Sequence, residues 1–265
     1  MTAGIKPRSA LPVWLFLGAV LGMLYLPLVP PVLESFRAGD GFITNYTGIA
    51  ANAVLMEGIR NTAVLGLTVA VITPLIALSV AQTLRAWGRA KLILGLILLP
   101  LFVPGVSMGL ATALVFQVLG LDASMVSMAL VQVLWALPFA TLLLLTVMAG
   151  FDRSYLEAAH MLGAPPLRAF IDIELPQIWP GILGAGIFSL ILSFNETIRT
   201  SIVQGGSNTV QTYLWSQYQQ VGLTPPLYAL MTLLIALTLV LVGLLAVLDR
   251  RLLARRQIDA ADLDA

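Results

Sequence analysis

The chain predicts an all-helical membrane protein with six spans, and three observations carry that expectation. Hydrophobic residues fill 59% of its 265 positions and charged residues 10%, and its mean hydropathy is +0.95, a mix far from that of a soluble domain. Six stretches are long and apolar enough to cross a hydrocarbon core of about 30 Å. The basic residues collect in alternate connections between those stretches, which is how a polytopic protein fixes its orientation.

The spans fall at about 11–32, 61–84, 92–119, 124–150, 180–203 and 227–248, within one transmembrane domain covering 1–265. The first follows Lys6 and Arg8 but is too long for a signal peptide, and no small-residue cleavage site follows it, so it reads as a retained span. Leu33 to Arg60 reads as an external segment, with an interfacial helix expected over Thr47 to Glu57. The third span carries Pro100, Pro104 and Gly105 around Phe102, and the fourth carries Pro138. Each proline deletes a helix hydrogen bond and leaves backbone groups that either line a cavity or are absorbed at a packed kink. For Pro138 the kink is the expectation; for the Pro100–Gly105 run both readings stand.

Between the fourth and fifth spans lies a polar hairpin, 151–177, holding Asp152, Arg153, Glu157, His160, Arg168, Asp172 and Glu174. So many ionisable groups are expected in water rather than in hydrocarbon. Helix formers from Leu156 to Leu162 predict one short helix, Gly163 and Pro165-Pro166 end it, and Leu167 to Glu174 restarts. With the amino terminus inside, the inside segments hold eleven basic residues, namely Lys6, Arg8, Arg85, Arg89, Lys91, Arg153, Arg168, Arg250, Arg251, Arg255 and Arg256, against Arg37 and Arg60 outside. Both termini and the hairpin are therefore expected on the cytoplasmic side.

Enzyme chemistry finds little support. The chain has no cysteine and a single histidine, His160, so Cys/His metal clusters and histidine triads are excluded from it, and no Gly-x-x-x-x-Gly-Lys-Ser/Thr phosphate loop occurs. The net charge of +1 comes without a basic patch, so no nucleic-acid partner is expected.

The fifth span holds Phe194, Asn195, Glu196 and Arg199. Each charge would cost roughly 2.5–3.5 kcal/mol at a lipid-facing helix centre, so both must face protein or water. Three residues apart on a helix, Glu196 and Arg199 share a face. They pair with each other, or they meet a solute. After this span, Ser207 to Pro226 is aromatic and amide-rich with no charge, suited to an interface belt. The residues past Gln257 read as a frayed polar tail.

The hairpin's spacing, Glu157-Ala158-Ala159, three residues, Gly163, nine residues, Ile173, then Leu175-Pro176, resembles the signature loop of membrane subunits of binding-protein-dependent ABC importers. That resemblance implies the type I importer permease fold. It makes the first short helix a coupling helix that docks on an ATPase, with Glu157, Ala158, Ala159, Gly163, Leu175 and Pro176 as the coupling residues. It also implies a bacterial inner-membrane location, a second homologous permease (a heterodimer), an ABC ATPase dimer binding ATP and Mg, and a periplasmic solute-binding protein, with no cofactor in this chain and lipid around it. From Asn61-Thr62 through Gln204-Gly205-Gly206 the chain is similar to spermidine/putrescine-type permeases and their opine and amino-acid relatives. In those, an acidic pair commonly occupies the positions of Asn195 and Glu196, so Phe102, Phe194, Asn195, Glu196 and Arg199 are the candidate substrate pathway. Asn195 in place of an acid, with Arg199 added, suits a zwitterion or amino-acid derivative better than a bare polycation. The alternatives are a permease for an inorganic anion or metal complex and, further off, a secondary transporter.

Overall fold

The computed structural model describes residues 7–37, 39, 41–87 and 90–263, and is helical throughout its regular structure. In chain order the helices are α1 (Pro7–Tyr25), α2 (Val29–Arg37), α3 (Phe42–Ala51), α4 (Ala53–Ala86), α5 (Ala90–Leu98), α6 (Gly105–Val118), α7 (Met125–Ala149), α8 (Ser154–Met161), α9 (Pro166–Ala169), α10 (Leu175–Phe194), α11 (Ile198–Val203), α12 (Val210–Val221) and α13 (Pro225–Leu263). Five candidate spans meet the length and hydropathy needed to cross a bilayer: Pro12–Arg37, Ala53–Ala86, Met125–Ala149, Pro166–Phe194 and Pro225–Val247. The sharply bent pair Lys91–Phe102 and Gly105–Val118 brings the total to six if it counts as one. Lys6 and Arg89 of the inside cluster lie outside the described residues.

The larger of two compact units runs from Ala53 to Gln219 and takes in the residues from Thr238 on. Its centre is the packing of α4, α7 and α10. Ala77, Ala81, Ala140, Leu144, Ile178, Ile182 and Ala185 are buried together there. Small residues set the approach: a Cβ on Gly186 would stand 2.8 Å from the backbone oxygen of Ala70, and one on Gly181 2.9 Å from the Val147 side chain. Without a hydrophobic drive between helices in lipid, such close backbone contact is what holds spans together. Gly186→Ala meets a carbonyl that cannot rotate away, so it is expected to cost about 1–3 kcal/mol as overpacking. Gly184→Ala has only the Leu143 side chain at 3.7 Å and is the control. Thermal unfolding of the two detergent-purified variants checks the difference.

The first turns of α4 are tied to the segment before α12. Asn61 donates Nδ2 to the Asn208 oxygen at 2.9 Å, Asn208 donates Nδ2 to the Val54 oxygen at 3.1 Å, and the Val210 amide donates to Thr62 Oγ1 at 2.9 Å. The smaller unit, the chain up to Asn52 with Gln220–Leu237, has its own polar knot. In it Asn45 donates Nδ2 to the Ser35 oxygen at 3.0 Å and the Tyr46 hydroxyl bonds Ser35 Oγ at 3.2 Å.

Four expectations are corrected. The interfacial helix over Thr47 to Glu57 is divided at Asn52, whose backbone is extended (φ −90°, ψ 103°), so that Glu57 belongs to α4. The third span is two helices bent by 106°, because Pro100 and Pro104 lack amide hydrogens and Val103 is extended between them. The fifth span begins earlier than expected and its helix stops at Phe194, with 195–197 outside regular helix before α11 resumes. The tail past Gln257 continues α13 through Leu263.

Candidate functional site

The hairpin folds around α8. At its start the Asp152 carboxylate accepts from the Ser154 amide at 2.9 Å, and this bond, with the Ser154 side chain, holds the Asp152 carboxyl below its ordinary value. At its end Gly163 has φ +83°. The Gly163 amide donates to the His160 oxygen at 2.9 Å and the Ala164 amide to the Ala159 oxygen at 3.0 Å. These are the two bonds of a Schellman motif, which needs a left-handed residue where the helix stops. Glycine is the residue that adopts it without a steric cost, so the chemistry of the turn explains Gly163.

The helix has two faces. Ala159 is buried against the rest of the hairpin, while Glu157, Ala158 and His160 are exposed. Beside them Met161 and Leu162 are 88% and 89% exposed, and Leu167 also stands out. A charged and apolar face of this kind, on a helix whose other side is packed, is shaped for a partner.

From Pro166 the chain runs to Phe194 without leaving a helical path, so the expected second short helix is the root of the fifth span. Phe170–Glu174 forms a π turn, in which the Leu175 amide bonds the Phe170 oxygen. Pro176 supplies the cause: with no amide hydrogen and a ring that crowds the carbonyl four residues back, it favours a widened turn. Leu175 packs onto the core of α4, α7 and α10, whereas Pro176 is exposed.

Glu174 is not in water, as the polar reading of the hairpin expected, but only 3% exposed. It is ion-paired with Arg85 of α4 and accepts from Gln82 Nε2 at 3.1 Å. The π turn carries its side chain under the last turns of α4, away from water. Neither Arg85 nor Gln82 figured as a site residue. Their signal was faint, a polar pair in the last turns of an apolar helix.

The second polar cluster surrounds the break between α10 and α11. Glu196 Oε1 accepts the Arg199 amide at 2.8 Å and Oε2 the Arg199 guanidinium at 2.8 Å. Glu196 thus serves as the anionic cap of α11 and as the counter-ion of its first-turn arginine. Both are buried, at 5% and 8% exposure. The flat face of Arg199 lies 3.8 Å from the Trp135 ring centre on α7, and a Cβ on Gly105 would sit 3.3 Å from its guanidinium. Gln132 of α7 spans the same break. It accepts from Ser193 Oγ at 2.6 Å and donates to Thr200 Oγ1 at 2.9 Å, one partner on each side of the interruption. Sequence reasoning passed over Gln132 and Trp135, although an amide in the middle of an apolar span is itself a signal.

The structure therefore gathers Glu196 and Arg199, and leaves the other pathway candidates apart from them. Asn195 is exposed and donates Nδ2 to the Ile191 oxygen of its own helix at 2.8 Å. Phe194 packs toward α4, close to Gly66. Phe102, at the bend before α6, is 84% exposed.

Apolar helices long enough to cross a bilayer, a polar hairpin with an exposed helix face and a broken polar span are the features of a membrane transport subunit. The family model described as "binding-protein-dependent transport system inner membrane component" matches residues 74–254, and the chain belongs to that family. It is the permease subunit of an ABC importer. Among its relatives, the spermidine/putrescine transport system permease protein PotC of Escherichia coli K12 is 26% identical, with 86% of this chain and 89% of the relative covered. The putrescine permease protein PotI of the same strain is 26% identical with 92% of each covered. The PotC homolog of Mycoplasma pneumoniae is 29% identical with 76% and 78% covered. A solved bacterial ABC transporter involved in importing the acidic polysaccharide alginate shares the fold, with a TM-score of 0.66 at 16% identity over 92% of this chain and 98% of the other.

Proposed function

We propose that this permease forms, as one transmembrane domain, half of a translocation path for a small organic solute of the polyamine, opine or amino-acid-like class. A homologous permease forms the other half as a heterodimer, a periplasmic solute-binding protein delivers the solute, and an ABC ATPase dimer binds ATP and Mg and drives the cycle. The observation that carries this reading is α8, whose Glu157, Ala158, Met161 and Leu162 face outward while its Schellman end is locked by Gly163. The ATPase would meet that face, and Leu175 and Pro176 would pass its movement into α10. No cofactor is assigned to this chain.

For the path itself, Phe102 and Asn195 are the groups proposed to face the solute, with Phe194, Glu196 and Arg199 shaping the wall around the break. Glu196 already has Arg199 as its partner, so the break offers an amide rather than a free carboxylate. That argues against a bare polycation, which would need a free carboxylate there. The relatives named for spermidine and putrescine support the organic-solute class.

The proposal places the chain in a bacterial inner membrane with both termini and α8 in the cytoplasm. Because the sequence holds no cysteine, single cysteines at Ala38, Gly88, Ser154, Ser207 and Ala261 give a clean test. An impermeant thiol reagent added to intact cells should modify Ala38→Cys and Ser207→Cys only. Modification of Ser154→Cys from outside would invert the orientation and remove α8 from the ATPase.

A further inference from the structure

Arg85 touches both ends of the hairpin. Its guanidinium pairs with Glu174 where the chain re-enters the core, and lies 5.9 Å from the ring centre of Phe151 where the chain leaves α7. Phe151 is itself buried, and Gln82 one turn earlier on α4 gives Glu174 a second donor. A single side chain of α4 therefore clasps the exit and the return of the loop that carries α8. Glu174 sits on the π turn, the one stretch between α9 and α10 where the helical path is widened. Without a fixed partner a widened turn is where a helix yields under load.

We propose that Arg85 and Glu174 are positioning residues for energy coupling: they lock the hairpin to α4, so that a displacement of α8 moves α4 and α10 as one body instead of being lost as bending at the π turn. The proposal rests on the reading that α8 meets the ATPase. The chemistry fits the task. A guanidinium offers a planar fork to a carboxylate and a flat face to an aromatic ring at once, which an ammonium does not. A buried ion pair is a poor source of net stability but a directional joint, since each partner left alone is an unpaired charge in a dry site.

The test uses the assembled importer, with spin labels on Ser154→Cys at the start of α8 and Ser79→Cys of α4, both exposed positions outside the proposed docking face. Electron–electron distance distributions are recorded without nucleotide and with the ATPase trapped by ADP and vanadate. With Arg85 and Glu174 intact, one narrow distribution is expected that does not shift between the two states. Arg85→Gln should at least double its width and make its mean depend on the nucleotide state, and Arg85→Lys should recover only part of the narrowing. Should Arg85→Gln fail to accumulate, the exchanged pair Arg85→Glu with Glu174→Arg replaces it; the ion pair is then present but the ring contact is not, and an intermediate width is expected. A distribution as narrow and state-independent in Arg85→Gln or the exchanged pair as in the parent overturns the proposal, and so does a parent whose own mean shifts with nucleotide. The docking reading is scored separately, by whether the ATPase stays in the purified complex when Glu157 is replaced by Arg. Loss of that reading and loss of the clasp therefore give different results.

Discussion

Glu157→Arg combined with Gly163→Pro is expected to leave the permease in the membrane while lowering solute-stimulated ATP hydrolysis and uptake by more than about tenfold, since each 1.4 kcal/mol lost at a docking contact is a factor of ten. The two changes act on different parts of α8. Glu157 lies on the exposed face, so its reversal presents a like charge to any basic site on the ATPase, while within the chain it removes the one acidic residue of the first turn of α8, a helix-dipole effect of about 0.3–1 kcal/mol. Gly163 stands at φ +83°, and proline is confined near −65°. The substitution removes the Gly163 amide that bonds the His160 oxygen, and the end of α8 must unwind. The two single variants separate surface charge from helix geometry, and an assay of ATP hydrolysis in proteoliposomes reads both. Normal uptake by the combined variant would show that α8 does not transmit the energy.

The second large effect is expected at the α10/α11 break. Arg199→Gln alone leaves Glu196 as an unpaired buried charge, a loss of about 3–5 kcal/mol that should sharply reduce the folded permease recovered from membranes. Glu196→Gln alone strands Arg199 between Trp135 and Gly105 with the same sign of effect. The double replacement is different. The glutamine introduced in place of Glu196 keeps a side-chain oxygen for the backbone amide at position 199, and no charge is left behind, so folded yield should return to near the parent level. If the pair only holds the break, uptake returns with it. If Glu196 and Arg199 also contact solute, yield returns and uptake does not. The pairing geometry, in which both carboxylate oxygens of Glu196 are taken by Arg199, favours recovery of both.

The hairpin was legible in the sequence because its demands are local. A Schellman end requires a left-handed residue next to the last helical turn, and Gly163 is visible as such without knowledge of any other helix. The apolar runs were legible for the same reason, since length and hydropathy belong to the segment itself. Residues whose partners lie far along the chain could not be read this way. Glu174 looked like one more charge of a solvated loop, and its burial depends on Arg85, 89 residues earlier. The break at Asn195–Thr197 was hidden inside an apolar stretch, where continuing the helix is the natural extrapolation. Its cause is the cap that Glu196 provides to α11, together with Gln132 holding Ser193 and Thr200 across the gap. The bend of the third span was half visible: Pro100 and Pro104 announced an interruption, while its angle of 106° depends on the extended backbone at Val103.

Packing volume and polar pairing hold different parts of this architecture. Close contacts at Gly181 and Gly186 fix how α10 lies on α7 and α4, and these are set by side-chain volume alone. Around the broken span Glu196 is bound to Arg199, and Gln132 to Ser193 and Thr200, so these groups hold an irregular backbone where an unpaired carbonyl or charge would be costly in hydrocarbon.

The partner that touches α8 can be captured directly. Leu162→Cys, at a position 89% exposed in a chain without other cysteines, can carry a photoreactive benzophenone in the native host. Illumination is expected to join the permease to one partner of ABC ATPase sequence, identified by mass spectrometry, and Glu157→Arg with Gly163→Pro should remove the adduct. An adduct with lipid alone, or none, in cells whose uptake is intact would contradict the claim that this hairpin is where the permease receives its energy.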